Sequence, residues 1–322
     1  MHKYLIYFVF QISILLSDGS YQYETITELE GLRNGPDYAG GIIYYPVGIE
    51  SEIPIIVMIP GFASFISSVD DWGGYLASYG IATMFVNVNN IYFNPNFRAS
   101  ALLDGIISIK LENERIDSPL YQKLDINSVA VSGWSMGGGG AQLAAQQDQT
   151  IKTVLALSPW LENQNDSFSN STPILFLSGQ YDNIASNFFH TNIFYNNTPM
   201  NVDKLLFEVA GGNHYTVCSP YNNELMADKV IYWLEYYLLN DSSNCEQLIS
   251  PPINSSLFLT NIECNNFILG DFNQDGVINI PDVVSTINVV LEGEYIDLID
   301  MNQDNSINIS DIIIIVDIIL NQ

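Results

Sequence analysis

The stretch Val131-Ser132-Gly133-Trp134-Ser135-Met136-Gly137-Gly138-Gly139-Gly140 decides the fold of this 322-residue chain. It contains the pattern G-x-S-x-G, with Ser135 at its centre, between an apolar run that ends at Val131 and a segment of good helix formers, residues 141–147. A strand, a tight turn and a helix around this pattern are typical of a nucleophile elbow, which exposes the serine at the carboxyl edge of a sheet. We therefore predict that Ser135 is a catalytic nucleophile. An ordinary glycine-rich loop is the alternative.

Segments typical of strands and of helices alternate along the chain on both sides of this stretch. The run 54–60 is continuously apolar, as a strand covered on both faces should be, and 98–113 has apolar residues at helical spacing. Such alternation predicts an α/β fold, with a mostly parallel sheet, helices on both faces and a site at the carboxyl ends of the strands. The predicted strands are 41–46, 54–60, 81–88, 128–131, 153–157, 174–177 and 205–209, and the predicted helices are 70–79, 98–113, 138–147 and 224–239.

The two ends of the chain differ in composition from its middle. Residues 1–19 combine a short basic start with an apolar run too short to span a bilayer, which predicts a secretory signal peptide. An uncleaved membrane anchor is the alternative. Residues 240–266 are rich in Ser, Asn and Pro, and we interpret them as a linker that ends a first domain, 20–266. Residues 23–37 are polar and are predicted to be irregular. Residues 267–322 form a second predicted domain.

The charge of the chain is strongly negative. Its 36 Asp and Glu residues outnumber 9 Lys and Arg residues, which gives a formal net charge of −27. A charge of this sign disfavours nucleic acid and anionic membrane surfaces as partners. The 48% hydrophobic content fits a globular protein with a sizeable core.

Three cysteines allow one disulfide in the oxidising compartment that a signal peptide implies. Cys245 and Cys264 lie in the same segment after a long predicted helix, so we predict that they pair. Closing such a loop contributes about 3 kcal/mol in the chain-entropy model. Cys218 then stays free and is expected to be buried.

A serine nucleophile needs a base, usually a histidine that a carboxylate orients. In α/β-hydrolases the chain order is Ser, then Asp or Glu, then His. Asp182 follows the predicted strand 174–177, and His214 follows 205–209 through a glycine-containing loop. We therefore predict that Asp182 orients His214, which acts as general base and then general acid. The alternatives are Asp166 and Asp203 for the carboxylate and His190, which we interpret as a packed histidine, for the base.

The tetrahedral intermediate of ester hydrolysis needs two hydrogen-bond donors for its oxyanion. The amide of Met136 follows the nucleophile, and the amide of Phe62 follows the predicted strand 54–60. The Phe62 ring is expected to overhang the cleft and to bind substrate there. Trp160, just past another strand, is predicted to face it and to contact an apolar or aromatic acyl group. Because the base and the oxyanion donors are protein groups, we expect that catalysis requires no cofactor.

The chain resembles bacterial cutinases and the related poly(ethylene terephthalate) hydrolases between about residues 35 and 264. The resemblance implies a secreted α/β-hydrolase without a large lid, with a monomeric catalytic domain, that cleaves ester bonds in polyesters and short-chain acyl esters. The family usually has tyrosine at the position of Phe62, a difference that leaves the backbone donor in place. The matching blocks are 60–62, 133–140, 158–160, 179–185 and 211–214. Position by position, the resemblance implies a triad of Ser135, Asp182 and His214, oxyanion amides at Phe62 and Met136, a substrate contact at Trp160 and a disulfide between Cys245 and Cys264.

An internal repeat marks the acidic C-terminal segment. Residues 265–322 contain ten carboxylates and no Lys or Arg. Oxygen-bearing side chains recur at positions 1, 3, 5, 9 and 12 of two twelve-residue loops, and calcium prefers several such ligands. The glycine expected at position 6 is Asn305 in the second loop, and asparagine tolerates a left-handed backbone. The predicted ligands are Asp271, Asn273, Asp275, Asn279 and Asp282 in the first loop and Asp300, Asn302, Asp304, Asn308 and Asp311 in the second.

Apolar helices predicted to begin near Val283 and Ile312 complete a resemblance to type I dockerin modules. This resemblance implies a small all-α domain that binds two calcium ions and attaches to a cohesin-type partner or a cell-surface scaffold. A solvated acidic tail is the alternative.

Two classes of function fit these observations. The first is a secreted serine esterase with a calcium-dependent docking appendage, acting on polyesters or, alternatively, as a lipase, feruloyl esterase or other carboxylesterase. The second is an adhesion or scaffold protein with an inactive hydrolase domain. The complete set of Ser, Asp and His favours the enzyme.

Overall fold

The computed structural model describes residues 19–164, 171–264, 269–273, 277–293 and 295–321. These residues form two compact units, one that ends at Ile262 and one that begins at Glu263. Nearly all of the predicted signal peptide, the alternative carboxylate Asp166 and the predicted calcium ligand Asp275 lie outside the described residues.

The larger unit is built on one sheet. Within the described residues its strands are β1 (Gln22–Thr27), β2 (Tyr38–Val47), β3 (Ile53–Ile59), β4 (Ala82–Val88), β5 (Leu124–Trp134), β6 (Thr153–Leu157), β7 (Ile174–Gly179), β8 (Lys204–Val209) and β9 (Ser255–Thr260). Their order across the sheet is β1-β2-β4-β3-β5-β6-β7-β8-β9. The six central strands, β3 to β8, run parallel to one another, whereas β1, β2 and β9 pair antiparallel at the two edges. All seven predicted strands are present, as β2 to β8.

Helices cover both faces of this sheet. A Cβ atom on Gly73 would lie 2.4 Å from the Tyr44 ring, and one on Gly105 would lie 3.0 Å from Val86. Because Val86 pairs with Gly41, three residues from Tyr44, strand alternation puts the Val86 and Tyr44 side chains on opposite faces. The described helices are α1 (Asp71–Ser78), α2 (Pro95–Glu112), α3 (Met136–Gln147), α4 (Thr191–Asn197), α5 (Glu224–Leu238), α6 (Cys245–Ile249), α7 (Ile280–Glu292) and α8 (Ile309–Leu320). This helix-covered, mostly parallel sheet fits the predicted α/β-hydrolase fold.

Burial explains which predictions were correct. Every residue of β3, β6 and β7 is buried, so these strands are apolar runs in the sequence. The predictions for 23–37 and 240–266 were wrong, since β1 lies partly in the first segment and α6 and β9 lie in the second. Both missed strands are partly exposed edge strands, which have no continuous apolar run.

The cysteines are arranged as predicted. Cys245 and Cys264 are disulfide-bonded, and Cys218 is free and buried. Burial raises the pKa of the Cys218 thiol to about 12, so the thiol stays protonated and unreactive at neutral pH.

The second unit contains α7 and α8, which pack against each other. Both helices start three residues earlier than predicted, after an asparagine N-cap. Asn279 N donates to Asp282 Oδ2 at 2.8 Å, and Asn308 N donates to Asp311 Oδ2 at 2.9 Å. In the part of the chain that the structure describes, none of the helices has the length and apolar character to cross a bilayer.

Candidate active site

Ser135 lies in the turn between β5 and α3, at the carboxyl end of the strand. Its φ of 56° and ψ of −120° are rare for a residue other than glycine, and such a conformation costs about 1–3 kcal/mol. Ser135 N donates to Leu157 O at 2.8 Å, and Trp160 N donates to Ser135 O at 2.9 Å. These hydrogen bonds to the neighbouring strand and loop hold the strained turn, as the predicted nucleophile elbow requires.

Close backbone contacts explain the glycines around Ser135. A Cβ atom on Gly133 would lie 2.3 Å from the Gly137 carbonyl, and one on Gly137 would lie 2.4 Å from Ile59 O. A Cβ atom on Gly139 would lie 2.1 Å from Trp160 O. A side chain at any of these positions would force the turn away from the strands and loop that it contacts.

The loop after β3 lies against the predicted nucleophile. A Cβ atom on Gly61 would be 2.9 Å from Ser135 Cβ, so the Gly61–Phe62 peptide is adjacent to Ser135. Ala63 follows with a left-handed φ of 53°. Met136 is the first residue of α3, where a backbone N–H has no partner within its own helix. The structure therefore brings both predicted oxyanion residues, Phe62 and Met136, next to Ser135.

The predicted base and carboxylate are paired and buried. His214 Nδ1 lies 2.7 Å from Asp182 Oδ2, and the side chains are 3% and 0% exposed. The second carboxylate oxygen, Oδ1, accepts from Ile184 N at 3.0 Å and Ala185 N at 2.8 Å. Burial opposes ionisation of Asp182, but the hydrogen bonds from His214 and the two amides outweigh it, so the pKa of Asp182 lies below its ordinary value.

Trp134 connects the base to the elbow. Its indole Nε1 donates to His214 O at 2.9 Å, and its ring centroid lies 5.1 Å from that of His214. Because Trp134 directly precedes Ser135, the residue beside the nucleophile holds both the backbone and the ring of the base residue. This contact was not predicted, since nothing in the G-x-S-x-G pattern specifies the residue before the serine.

The alternative residues have other partners. Asp203 accepts a hydrogen bond from the Tyr237 hydroxyl at 2.9 Å and is not paired with His214. His190 is buried, as expected for a packed histidine, and burial lowers its pKa. The His190 ring packs 5.8 Å from Trp160 and 5.9 Å from Phe194, centroid to centroid. His190 therefore packs against the predicted substrate contact, a role that its sequence position did not suggest.

The predicted calcium loops contain several buried aspartates. Asp300 and Asp311 of the second loop are 3% and 0% exposed. Asp300 accepts from Asp304 N at 3.1 Å and from Asn305 N at 2.8 Å, and Asp311 also accepts from Met301 N at 2.9 Å. Asn305 has a φ of 62°, so the left-handed backbone expected at position 6 is present.

The first loop has the same pattern where it is described. Asp271 and Asp282 are buried, and Asp282 accepts from Asn273 N at 3.1 Å. Among the described residues, no group of three or more His, Cys, Asp or Glu side chains is arranged to hold a metal. The predicted calcium-ligand sets also include asparagines, which such a group does not count, and Asp275 lies outside the described residues.

Comparison with known proteins agrees with this geometry. The family model described as PET hydrolase-like matches residues 13–265. Cutinase 2 of Thermobifida cellulosilytica is 30% identical over 232 residues, 71% of this chain and 85% of the cutinase. Lipase 1 of Moraxella sp. is 30% identical over 212 residues, 65% of this chain and 64% of the lipase. A bis(hydroxyethyl) terephthalate hydrolase of Streptomyces coelicolor is 29% identical over 216 residues, 66% of each chain.

The family match covers the strained serine, the buried histidine–aspartate pair and the loop after β3. The relatives are ester hydrolases by name. The chain therefore belongs to the PET hydrolase-like family and is a carboxylic ester hydrolase.

Proposed function

We propose that this protein is a secreted serine esterase that cleaves polyesters and short-chain acyl esters through an acyl-enzyme on Ser135. The observation that carries the proposal is the buried His214–Asp182 pair, with a 2.7 Å hydrogen bond, connected through Trp134 to a serine in a strained turn. A carboxylate in this position fixes the imidazole tautomer and stabilises the imidazolium that forms when the serine loses its proton.

In the proposed mechanism His214 removes the proton of Ser135 Oγ as that oxygen attacks the ester carbonyl. The amides of Phe62 and Met136 stabilise the oxyanion of the tetrahedral intermediate. His214 then donates its proton to the leaving alkoxide, which departs as an alcohol. A water molecule, activated by His214, hydrolyses the acyl-enzyme and releases the acid.

Exposed aromatic residues near the site support an apolar or aromatic acyl group as substrate. Phe62 is 47% exposed, and its ring packs edge-on against exposed Tyr92 with centroids 5.5 Å apart. Trp160, bonded through its backbone to Ser135, supplies a further ring. Aromatic side chains bind flat apolar groups through area burial and ring stacking, and the relatives include cutinases and a terephthalate-ester hydrolase by name.

The test is product release from an amorphous aromatic polyester film, measured beside turnover of p-nitrophenyl butyrate, with Ser135→Ala as the blank. Loss of both activities in the variant is the expected result. Turnover of the small ester alone would keep the mechanism but make the protein a lipase, feruloyl esterase or other carboxylesterase. No turnover of either substrate would favour the inactive scaffold.

We propose that the second unit is a dockerin-like module that binds two calcium ions. The buried Asp300 and Asp311 carboxylates accept backbone N–H groups, which leaves further lone pairs for a hard cation. Aspartates are rarely fully buried without a compensating charge. The capping boxes at Asn279 and Asn308 account for one oxygen each of Asp282 and Asp311, but they do not account for buried Asp300.

The partner of this module is proposed to be a cohesin-type protein or a cell-surface scaffold. Pull-down of the full chain by an immobilised cohesin, with and without EGTA, tests the docking. Secretion is tested by N-terminal sequencing of protein from the culture medium, where a start near residue 20 is expected.

A further inference from the structure

Arg98 is a fully buried cation beside the active-site loop. It lies in α2 and is 0% exposed. Its guanidinium donates to two backbone carbonyls, through Nη1 to Pro60 O at 2.8 Å and through Nη2 to Ile91 O at 2.9 Å. One rigid planar group therefore joins two loops that follow different strands of the sheet, β3 and β4.

Among the described residues, Arg33 and Arg115 form ion pairs with carboxylates, but Arg98 does not. No carboxylate there compensates its charge. The Nε of Arg98 is also buried without a hydrogen-bond partner in that part of the chain. Burial lowers the pKa of Arg98 to about 10, so the side chain is still charged at neutral pH. Burying a cation without a carboxylate partner costs folding free energy, so the two hydrogen bonds to carbonyls are the interactions that this placement provides.

The two carbonyls that Arg98 binds are connected to the two ends of the loop 60–63. Pro60 immediately precedes the Gly61–Phe62 peptide, which lies against Ser135. Ile91 O, the second acceptor, also accepts from Ala63 N at 2.9 Å. Arg98 therefore holds the loop directly before the Phe62 amide and, through Ile91, directly after it.

The elbow also lies close to the Pro60 carbonyl. A Cβ atom on Gly137 would lie 2.7 Å from Pro60 O. Arg98 itself is held close to α3, because a Cβ atom on Gly140 would lie 2.7 Å from Arg98 Cβ. The first turns of the nucleophile helix and the guanidinium together fix the orientation of the Pro60 peptide.

We propose that Arg98 is a positioning residue that holds the loop 60–63 so that the Phe62 amide can bind the oxyanion. This proposal rests on the proposed function of Ser135 and names a requirement of the same site. Oxyanion donors accelerate a reaction only if they are oriented before the charge develops. A loosened loop would leave substrate binding nearly unchanged and weaken binding of the transition state.

The test compares Arg98→Met and Arg98→Lys with the unmodified full chain on p-nitrophenyl butyrate. For Arg98→Met we expect kcat to fall by about 100-fold, the effect of losing one oxyanion donor, with KM changed less than about threefold. Arg98→Lys keeps a charge but has no planar fork to join both carbonyls. Its kcat is expected to fall by about tenfold, to a value between those of the unmodified chain and Arg98→Met.

A second readout separates positioning from general destabilisation. A boronic acid that adds to the serine forms a tetrahedral anion, so its inhibition constant should rise in parallel with the loss of kcat/KM. Binding of the carboxylic acid product, which has no tetrahedral centre, should stay the same. A change in thermal stability alone would not weaken boronic acid inhibition while leaving binding of the carboxylic acid product unchanged.

Lys229→Met is the matched control. Lys229 is also a buried cation whose ammonium donates to backbone carbonyls, those of Gln247, Leu248 and Ser250. It lies in α5, and these hydrogen bonds go to residues 247–250 instead of the loop 60–63. Its removal should lower the melting temperature and leave kcat within twofold.

Folded Arg98→Met or Arg98→Lys protein with kcat within twofold of the unmodified chain would overturn the proposal. A parallel loss of kcat in Lys229→Met would also overturn it, because the effect would then be general. If Arg98→Met does not fold, Arg98→Lys and the boronate series decide the question. Turnover retained in Ser135→Ala would instead refute the proposed function itself.

Discussion

Buried aspartates occur in both units of the chain, but their surroundings differ. Asp182 of the hydrolase unit is paired with His214 at 2.7 Å and accepts two backbone amides. Asp300 of the second unit accepts two amides and the Tyr295 hydroxyl, and it has no cationic side chain beside it among the described residues. The carboxylate of the hydrolase site thus has a side-chain partner within the chain, the imidazole of His214. Asp300 has only backbone amides and the Tyr295 hydroxyl as partners among the described residues, and this difference is the basis for proposing calcium there and metal-free catalysis at Ser135.

The largest effect is expected for His214→Ala. Without the base, the serine hydroxyl is a poor nucleophile at neutral pH, and kcat should fall by about 10⁶-fold, as in other serine hydrolases that lose this group. The measurement is p-nitrophenyl butyrate hydrolysis with circular dichroism as a control for folding. A decrease smaller than tenfold would show that His214 is not the base.

Asp182→Asn should have the next largest effect. The amide keeps the size of the carboxylate but cannot fix the same tautomer of His214, so kcat should fall by about 10⁴-fold. Asp203→Asn is the matched control, since Asp203 binds Tyr237 instead of His214. Equal losses in the two variants would contradict the assignment of Asp182.

Calcium removal should affect the two units differently. With EDTA, p-nitrophenyl butyrate turnover should stay within twofold, whereas calorimetry of the full chain with calcium should show binding that Asp300→Asn and Asp311→Asn weaken by about tenfold or more. Asp241→Asn is the control, because Asp241 lies in the hydrolase unit. Absence of calcium binding would reduce the second unit to a solvated acidic extension, and loss of turnover with EDTA would contradict metal-free catalysis.

The smallest effect concerns stability in acid. Because the folded-state pKa of Asp182 is lowered, its ionisation stabilises the fold above the pKa of the unfolded chain. This stabilisation is lost as the pH falls through the lower, folded-state value. The unfolding free energy of Asp182→Asn should therefore depend less on pH below about 4 than that of the unmodified chain, as measured by urea titration. Identical pH profiles would contradict the lowered pKa.

Much of the site was predictable because close packing and chain order restrict the residue types. Only glycine fits at Gly133 and Gly137, where a Cβ atom would collide with backbone, so the elbow is visible as a pattern. Asp182 and His214 each follow an apolar strand, and parallel strands bring their carboxyl ends to one edge. The strands β3, β6 and β7 were predictable because every residue in them is buried, which makes each one a continuous apolar run.

Other features leave no such pattern. Edge strands β1 and β9 bury little apolar surface, so their sequences resemble loops. The partners of Arg98 are backbone carbonyls, which every residue has, and no motif marks them. The packing of His190 on Trp160 depends on how α4 and the loop after β6 meet, which only the folded chain determines.

The most direct test of the central claim is covalent labelling with a p-nitrophenyl phosphonate ester, followed by mass spectrometry of peptides. The phosphonate reacts with an activated serine and leaves a stable tetrahedral adduct. We predict one label, on Ser135, that is absent in Ser135→Ala and formed far more slowly in His214→Ala. Ester turnover without a label on Ser135, or a label on another residue that accompanies inactivation, would contradict Ser135 as the nucleophile.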